Sequence, residues 1–360
     1  MKKYIHIFLN FFIRFAELKR KPSLNWAAKA ILGAALTTLL SSSFSLEIPV
    51  PALDTTLTLG GGDLFTFFVL LVIALIMFGY TEYRDVREAD DSILTIVRHM
   101  GLVDNEIDDL RSYLPKKLKR IRPQNFVMAY ENSNKTLNID DLDKQLEHIC
   151  RIPTFLSDTG QASNNAKKHI AYGGVAPVPM LAAAGHVISN MQNVYIGDWE
   201  RQRKRWHFNS QFDDGEELVF HIDGDDNADA ESVSLAVSFS IPVNIKCIHN
   251  EFSESPLHVV TLDSGEHKYD RLCSEEKQDR LAITILEYIN NTLIPNYSKL
   301  VEINVFVTAQ ASFVFRLGSV MNQGHLPRTI FHHYDRDREG AKHPWGVVLN
   351  DTKLGYKVVQ

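Results

Sequence analysis

The chain has 360 residues, of which 45% are hydrophobic, 23% charged and 10% aromatic, a composition that excludes a disordered tail, a collagen-like fibre and a low-complexity linker. A mean hydropathy of -0.14 excludes a polytopic transporter, and a net charge of -6 excludes a protein held on nucleic acid by phosphate attraction alone, so no DNA partner is expected. Three widely spaced cysteines, Cys150, Cys247 and Cys273, give neither a disulfide framework nor zinc-site spacing, which predicts a reducing compartment for the large domain.

Two apolar stretches near the N-terminus predict a pair of transmembrane helices. Residues 64–80 carry no charge and span roughly 25 Å at about 1.5 Å per residue, which is most of a hydrocarbon core. Residues 30–46 are richer in Ser and Thr, whose hydroxyls bond to carbonyls one turn back and whose small size lets helices pack closely in lipid. The alternative for each stretch is a buried helix of a soluble domain.

Charge placement predicts the orientation of this hairpin. Residues 1–29 hold seven Lys or Arg side chains against one acid, whereas residues 47–63 hold three acids and neither Lys nor Arg. Arg84 and Arg87 follow the second stretch, so the positive-inside rule puts both termini in the cytoplasm. A cleaved signal peptide fits poorly, because the first apolar stretch starts late and a second one follows. Residues 1–26 are basic and amphipathic, which predicts either an interfacial helix or a disordered leader.

Residues 83–165 are polar and charge-rich, and we expect a helical linker there. Residues 92–114 have roughly helical apolar spacing, although Gly101 interrupts it and Pro115 ends it. A second helix is predicted over residues 138–149, with acids near its start. The basic residues of 116–122 form either a solvated helix face or a lipid-headgroup site.

From residue 166 the pattern becomes strand, turn, helix, strand, and it then recurs. The first unit has these elements at residues 169–173, 174–177, 180–190 and 194–199. The second unit has them at residues 302–307, 308–312, 313–323 and 328–334. A constant offset of 133 pairs Val175 with Thr308 and Gly185 with Gly318. This recurrence indicates an internal duplication; chance repetition of a common supersecondary unit is the alternative.

Further strands at residues 217–222 and 232–239 and a helix at 275–293 complete the predicted large domain. Strands that alternate with helices predict an α/β fold with mainly parallel pairing. In such sheets a ligand binds beyond the carboxyl ends of the strands.

Several enzyme motifs are missing from the sequence, among them GxxxxGK[ST], HExxH, GxSxG, GxGxxG and paired CxxC. The acidic run at residues 223–231 departs from a calcium-binding loop at Ala230 and Ala236, so a solvated loop is expected. His332 and His333 are adjacent and would face opposite sides of a strand. We therefore expect no catalytic residue, no metal site and no cofactor.

Two small-residue turns that each open a helix are the candidate ligand site, because free N–H groups at a helix start attract phosphate. Nearby aromatic side chains could stack on bases, and nearby arginines could neutralise phosphates; the alternatives are core or rim aromatics and a solvated basic face. The candidate ligand-binding residues are Tyr172, Gly173, Gly174, Ala176, Pro177, Trp199, Arg201, Arg203, Thr308, Ala309, Gln310, Ala311, Ser312, Tyr334, Asp335 and Arg336.

The second unit resembles the C-terminal half of a SAVED domain. The resemblance rests on the strand at 305–307, the turn with Ala309 and Ala311, the inner Gly318 and the pair Tyr334–Asp335. Residues 233–243 resemble the family's central strand, and the likeness covers about residues 165–355. With two predicted spans in front, the arrangement is similar to the transmembrane SAVED effectors of bacterial CBASS, an antiphage system based on cyclic oligonucleotides.

The resemblance implies a SAVED domain made of two fused CARF-like, Rossmann-like halves that bind a cyclic oligonucleotide, often a cyclic trinucleotide, made by a partner CD-NTase. It implies that binding drives homo-oligomerisation, disruption of the inner membrane and abortive infection. The expected domains are residues 1–26, the two spans within 27–82, the linker 83–165 and the SAVED domain 166–360. A membrane-anchored enzyme that cleaves the cyclic ligand and a passive membrane-anchored scaffold are the alternatives.

Overall fold

The computed structural model describes residues 24–40, 46–50, 55–59, 64–101, 109–129, 139–158, 166–191, 193–200, 203–208, 211–322, 324–351 and 355–360. The chain divides into two compact units, Met1–Asp90 and Asp91–Gln360. Residues 1–23, and with them most of the predicted amphipathic segment, lie outside the described part.

The first unit consists of two helices and a β-hairpin. Its elements are α1 (Leu24–Leu40), β1 (Leu46–Val50), β2 (Thr55–Leu59) and α2 (Leu64–Asp90). The strands β1 and β2 pair antiparallel. The two helices pack against each other, with Ala28 and Ala35 of α1 and Leu70 and Ala74 of α2 buried. Small side chains on both helices allow this close approach.

The structure agrees with one predicted span and places the helix of the other at different residues. Residues 64–80 lie wholly within α2, which continues for ten residues beyond them. The helix predicted over residues 30–46 is offset, since α1 begins at Leu24 and ends at Leu40, and Leu46 starts a strand. Among the described helices, one segment, Phe67–Asp90, is long and apolar enough to cross a membrane. With 17 residues, α1 lies at the short end of the usual range.

The second unit contains two sheets and the helices that cover them. Its strands are β3 (Ser92–Met100), β4 (Pro123–Ala129), β5 (Lys167–Val175), β6 (Val194–Glu200), β7 (Arg205–Phe208), β8 (Leu218–Asp223), β9 (Ser232–Ser238), β10 (Leu257–Leu262), β11 (Glu302–Thr308), β12 (Arg328–His332), β13 (Gly346–Asp351) and β14 (Gly355–Val359). Its helices are α3 (Lys116–Lys119), α4 (Ile139–Cys150), α5 (Ile152–Asp158), α6 (Val178–Ile188), α7 (Ile245–Glu251), α8 (Glu275–Tyr288), α9 (Ile294–Asn296) and α10 (Ala311–Val320).

The two sheets repeat one topology. The first has the order β4-β3-β5-β6-β7, with β7 alone antiparallel to its neighbour. The second has the order β14-β13-β12-β11-β9-β10-β8. Within it, β10-β9-β11-β12-β13 has the same succession of four parallel strands and one antiparallel strand. We call the part built on β3–β7 the first lobe and the part built on β8–β14 the second lobe. Each is a Rossmann-like α/β layer, as predicted.

One predicted helix is wrong. Residues 92–114 were expected to be helical, but Ser92–Met100 forms β3 at the centre of the first sheet, followed by a 3₁₀ turn at Leu110–Tyr113. Seven of the nine residues of β3 are buried, and an apolar run covered on both faces lacks the alternation that would reveal a strand. The predicted linker region therefore supplies β3 and β4 to the sheet, whereas the helix predicted at 138–149 is confirmed as α4.

The helices α6 and α10 pack directly against each other at the junction of the lobes. A Cβ atom added at Gly185 would lie 1.9 Å from the carbonyl oxygen of Phe315, and one at Gly318 would lie 2.1 Å from that of Ala182. Both the glycines and their partners are 133 positions apart, so the contact is reciprocal. The predicted correspondence of Gly185 with Gly318 is confirmed as a local pseudo-twofold relation.

Candidate functional site: a cleft between the lobes

The carboxyl ends of the two sheets meet at one buried carboxylate. Asp198, near the end of β6, is 5% exposed. Its Oδ1 accepts a 2.8 Å hydrogen bond from the backbone N–H of Ser312, and its Oδ2 accepts one from the Ser312 hydroxyl. The Gln310 side-chain amide lies 3.4 Å from the same Oδ2. The first lobe is therefore bonded to the first turn of α10 in the second lobe.

A cavity of about 290 Å³ opens beside this contact, and we call it the inter-lobe cleft. Both lobes contribute to it, because the end of β6 and two residues of β7 lie on one side and the turn before α10 on the other. The residues that line it are Asp198, Glu200, Arg203, Arg205, His207, Gln211, Asp270, Cys273 and Gln310. It lies where an α/β sheet generally binds ligands.

Both arginines that line the inter-lobe cleft are already paired with an acid. Glu200 bonds to Arg205 at 2.9 Å and lies 3.3 Å from Arg203. Burial raises the pKa of the Cys273 thiol, and the nearby carboxylates of Asp198, Asp270 and Glu200 raise it further. Acids and cations therefore alternate along the cleft.

An ionic network holds the segment that rims the cleft. Lys277 of α8 is 1% exposed, and its ammonium donates to Asp214 at 2.8 Å and to Glu216 at 2.7 Å. A hydrogen bond from Arg280 lowers the pKa of Asp213 to about 2. A buried ammonium is stable only with such partners, so residues 213–216 are fixed against α8.

A polar chain connects the cleft to α8. The side-chain amide of Gln278 donates to the Ser312 hydroxyl at 2.8 Å. Arg316 donates in turn to Gln278 at 3.1 Å and to Glu275 at 2.8 Å. The first turn of α10 is thus bonded on one side to the first lobe through Asp198 and on the other to α8.

The predicted residues of the first turn do not line the cleft. Tyr172 is 1% exposed, its hydroxyl lies 2.7 Å from Nδ1 of His99, and its ring lies 4.4 Å from that of Phe315. It offers no open face for base stacking, because β5 is a central strand covered on both sides. Four neighbouring predicted residues are also buried: Gly173, Gly174, Ala176 and Pro177.

The start of α6 also lacks the predicted phosphate donors. Pro177 caps the helix and Pro179 lies in its first turn, and proline has no backbone N–H. The expected anion site is therefore weak in the first lobe.

The predicted aromatic and basic residues after β6 are only partly at the cleft. Trp199 is half-buried and packs edge-on against Trp206 at 5.4 Å. Trp206 is buried above Gly173, so it belongs to the core. Arg203 lines the cleft, and Arg201 lies outside the described residues.

The second predicted turn contributes more directly. Gln310 lines the cleft, and its side-chain oxygen accepts a 2.5 Å hydrogen bond from the backbone of Leu272. Thr308 donates to the carbonyl of Ile241 at 2.5 Å, and Ser312 is engaged by Asp198. Ala309 and Ala311 are half-buried beside them. Of this turn, Gln310 lines the cleft, and the backbone N–H of Ser312 already donates to Asp198.

The third predicted group lies on the loop after β12. Tyr334 is exposed and tilted against His343 at 5.5 Å. The Asp335 carboxylate accepts N–H bonds from residues 337 and 338 and closes a local turn, while Arg336 is exposed. None of these three is among the described residues that line the inter-lobe cleft.

Sequence reasoning missed several cleft residues as site candidates. They are Asp198, Glu200, His207, Gln211, Asp270 and Cys273, whereas Arg205 is one of the arginines expected to neutralise phosphates. One available signal was the acid in the strand Val194–Glu200, where Asp198 follows Ile196 and Gly197, since a buried carboxylate requires a partner. Among the described residues, no group of three or more His, Cys, Asp or Glu side chains is placed to hold a metal ion.

Comparison with known families identifies the second unit. The family model of SAVED, described as "SMODS-associated and fused to various effectors sensor domain", matches residues 155–349, which is more than half of the chain. The chain belongs to the SAVED family.

Solved structures of similar fold come from two bacteria. The Acinetobacter baumannii Cap4 SAVED/CARF-domain containing receptor with the cyclic trinucleotide 2′3′3′-cAAA has a TM-score of 0.46 at 12% identity, over 75% of this chain and 53% of that one. Its complex with 3′3′3′-cAAA has a TM-score of 0.45 at 12% identity, over 74% and 53%. The Moraxella osloensis Cap4 receptor has a TM-score of 0.42 at 12% identity, over 76% and 52%. The alignment thus spans about half the length of these structures. A search of curated proteins finds no match.

Proposed function

We propose that this chain is a membrane-anchored CBASS effector whose SAVED domain binds a cyclic oligonucleotide at the inter-lobe cleft. The observation that carries the proposal is the meeting of the carboxyl ends of two equivalent lobes within a domain of a sensor family. Arg203, Arg205 and Gln310 supply cations and an amide at this junction, and these groups suit phosphate oxygens and base edges.

A cyclic trinucleotide is the proposed ligand, made in the same cell by a CD-NTase. The Acinetobacter baumannii Cap4 receptor was solved with two such molecules. A cleft of about 290 Å³ lies at the lower end of the range for ligand pockets. We therefore propose that one part of the ring enters the cleft and that the rest extends over the loop of residues 334–336.

The membrane part of the proposal rests on α2. Its large apolar side chains point outward in the described part of the first unit: Phe68 is 56% exposed, Leu75 is 59% exposed and Ile76 is 64% exposed. Such a surface is unfavourable in water and stable in lipid. We propose that α1 and α2 both cross the bacterial inner membrane, with both termini in the cytoplasm, as the charge distribution predicts.

Ligand-driven homo-oligomerisation would then gather these helices in the membrane. Weak helix contacts become effective at high local concentration, and the proposed result is disruption of the inner membrane and arrest of the infected cell. The proposed output needs no catalysis by this chain.

The test uses the full chain in detergent and in liposomes. Calorimetry with cyclic di-, tri- and tetranucleotides, including 3′3′3′-cAAA and 2′3′3′-cAAA, should give binding to a trinucleotide, and the same ligand should release dye from the liposomes. Chromatography of the recovered ligand distinguishes an enzyme, which would yield a linear product. Binding without dye release or cleavage would point to a passive scaffold, and no binding at all would refute the proposal.

A further inference from the structure

Two carboxylates on one edge of the inter-lobe cleft occupy the groups that would attract a ligand's phosphates. Asp198 and Glu200 are two residues apart on β6, so their side chains leave the same face of the strand. Asp198 accepts hydrogen bonds from the N–H and hydroxyl of Ser312, while Glu200 pairs with the guanidinium groups of Arg203 and Arg205.

These interactions are of the kind a phosphate makes. Carboxylate and phosphate are both anions with several acceptor oxygens, and both form short charge-assisted bonds with guanidinium and backbone N–H groups. Asp198 is buried and joined to the opposite lobe, whereas Glu200 is 18% exposed and pairs within its own lobe with Arg203, which is 66% exposed, and Arg205, which is 43% exposed. The cleft therefore contains its own anions, and one of them also holds the lobes together.

We propose that Asp198 and Glu200 are internal competitors of the ligand, and that an anionic ligand must displace them from Ser312, Arg203 and Arg205 when it enters the cleft. This inference rests on the proposed function. Displacing Asp198 also breaks the bond between β6 and α10, so that binding loosens the contact between the lobes. Asp198 is thus a positioning residue that couples occupation of the cleft to the arrangement of the lobes.

The two carboxylates differ in how strongly they compete. Each pair of Glu200 joins a mostly buried carboxylate to a partly exposed guanidinium, so water and salt screen it in part, and removing the charge of Glu200 should have the smaller effect. A buried hydrogen bond to a charged group is worth more. The charge of Asp198 should therefore dominate the competition.

The experiment compares Asp198→Asn and Glu200→Gln in the full chain in detergent, with 3′3′3′-cAAA and 2′3′3′-cAAA as probes. Both changes keep the size of the side chain and remove its charge. We expect affinity to rise about tenfold for Asp198→Asn and about threefold for Glu200→Gln. Hydrogen exchange at the first turn of α10 should increase in Asp198→Asn without ligand. Asp229→Asn is the matched control, since Asp229 pairs with Lys299 on the surface at 3.0 Å and is not among the cleft residues.

The outcomes separate this inference from the proposed function. If the wild type binds the ligand and both variants bind it equally or more weakly, the competition is refuted and the proposed function stands. The two carboxylates would then either contact the ligand or play no part in binding. Glu200→Gln alone decides the matter if Asp198→Asn fails to fold, since the pairs of Glu200 lie within the first lobe and do not join the lobes. Failure of the wild type to bind any cyclic oligonucleotide would overturn both.

Discussion

The side-chain amide of Asn322 donates a 2.6 Å hydrogen bond to the Ser189 hydroxyl, and the two residues are 133 positions apart. The same offset relates Gly185 to Gly318, whose helices touch backbone to backbone. One pair of equivalent residues therefore bonds directly, and the two equivalent glycines make the same backbone contact in exchange across α6 and α10. This reciprocal packing is the pseudo-twofold relation of the lobes, and it fixes their register.

The first prediction tests this axis. Gly185→Ala should destabilise the protein by about 2 kcal/mol, because the new methyl group would overlap the Phe315 carbonyl oxygen and push the helices apart. Thermal unfolding of the full chain in detergent measures the effect. Gly324→Ala is the control, since a Cβ there has nothing within 4 Å. An equal and small change in both variants would show that the helices tolerate separation.

The second prediction concerns the buried ammonium beside the cleft. Lys277→Met should cost about 2 kcal/mol, because it removes the buried charge-assisted bonds to Asp214 and Glu216 and leaves Arg271 as the remaining cation at Glu216. Chemical denaturation measures this free energy. Lys299→Met removes an exposed pair with Asp229 and should cost less than about 1 kcal/mol. Similar losses for both lysines would contradict the role given to burial.

The third prediction is a loss of stability in mild acid. Burial lowers the pKa of His332 to about 3, and burial lowers that of His258 to about 4. Because the unfolded chain binds these protons more readily, stability is complete above pH 6.5 and falls as the pH drops below it. Each such histidine lowers the free energy of unfolding by about 2 kcal/mol at pH 5.

Unfolding free energies measured between pH 7 and pH 5 check this window. Replacing His332 by Asn should flatten the slope. The acid Asp213, whose pKa is lowered to about 2 by its bond with Arg280, loses its contribution only below its unfolded pKa of about 3.9. A pH-independent stability between 7 and 5 would show that the histidines are not buried as described.

The fourth prediction concerns the connection between the two units. The helix α2 ends at Asp90 and β3 begins at Ser92, so a single residue joins them. A Gly-Ser insertion of about ten residues after Asp90 should leave ligand binding intact and abolish ligand-induced dye release, since such a linker transmits little force. The same insertion after Asp225, in an exposed loop, should preserve both. Dye release by the variant with the insertion after Asp90 would mean that a direct connection between the two units is not needed.

The fifth prediction asks how far the ligand extends. Arg203→Glu, within the cleft, should weaken binding more than tenfold by adding a charge that repels phosphate. Arg336→Glu should also weaken binding if the ring reaches the loop after β12. Calorimetry compares them, and unchanged affinity of Arg336→Glu would remove that loop from the site.

The fold was predictable where local signals were strong. The apolar runs that become β5 and β11 are each followed by small residues and a helix, and their bounds agree with the structure within two residues. The strand β3 was mistaken for a helix because its burial on both faces removes the period-two pattern. The spacing of apolar residues indicates which faces of an element are buried. It therefore cannot identify a strand that is buried on both faces.

The site was predictable to a lesser degree, because its contacts are distant in sequence. The turn at 308–312 was found from its small residues, but its partner Asp198 is 114 positions from Ser312. Tyr172 was expected to stack on a base, since an aromatic beside a glycine turn has the same local sequence whether it faces a ligand or the other lobe. Only the packing of the lobes distinguishes the two.

The lobes share a topology, yet their helix starts differ in chemistry. Prolines at 177 and 179 leave the first helix short of donors, whereas the Ser312 N–H at the second donates to the carboxylate of Asp198. A messenger of three identical nucleotides bound at the cleft would thus meet different chemistry in the two lobes. Its rotational symmetry would be lost on docking, and altering a single base would matter differently according to the half it faces.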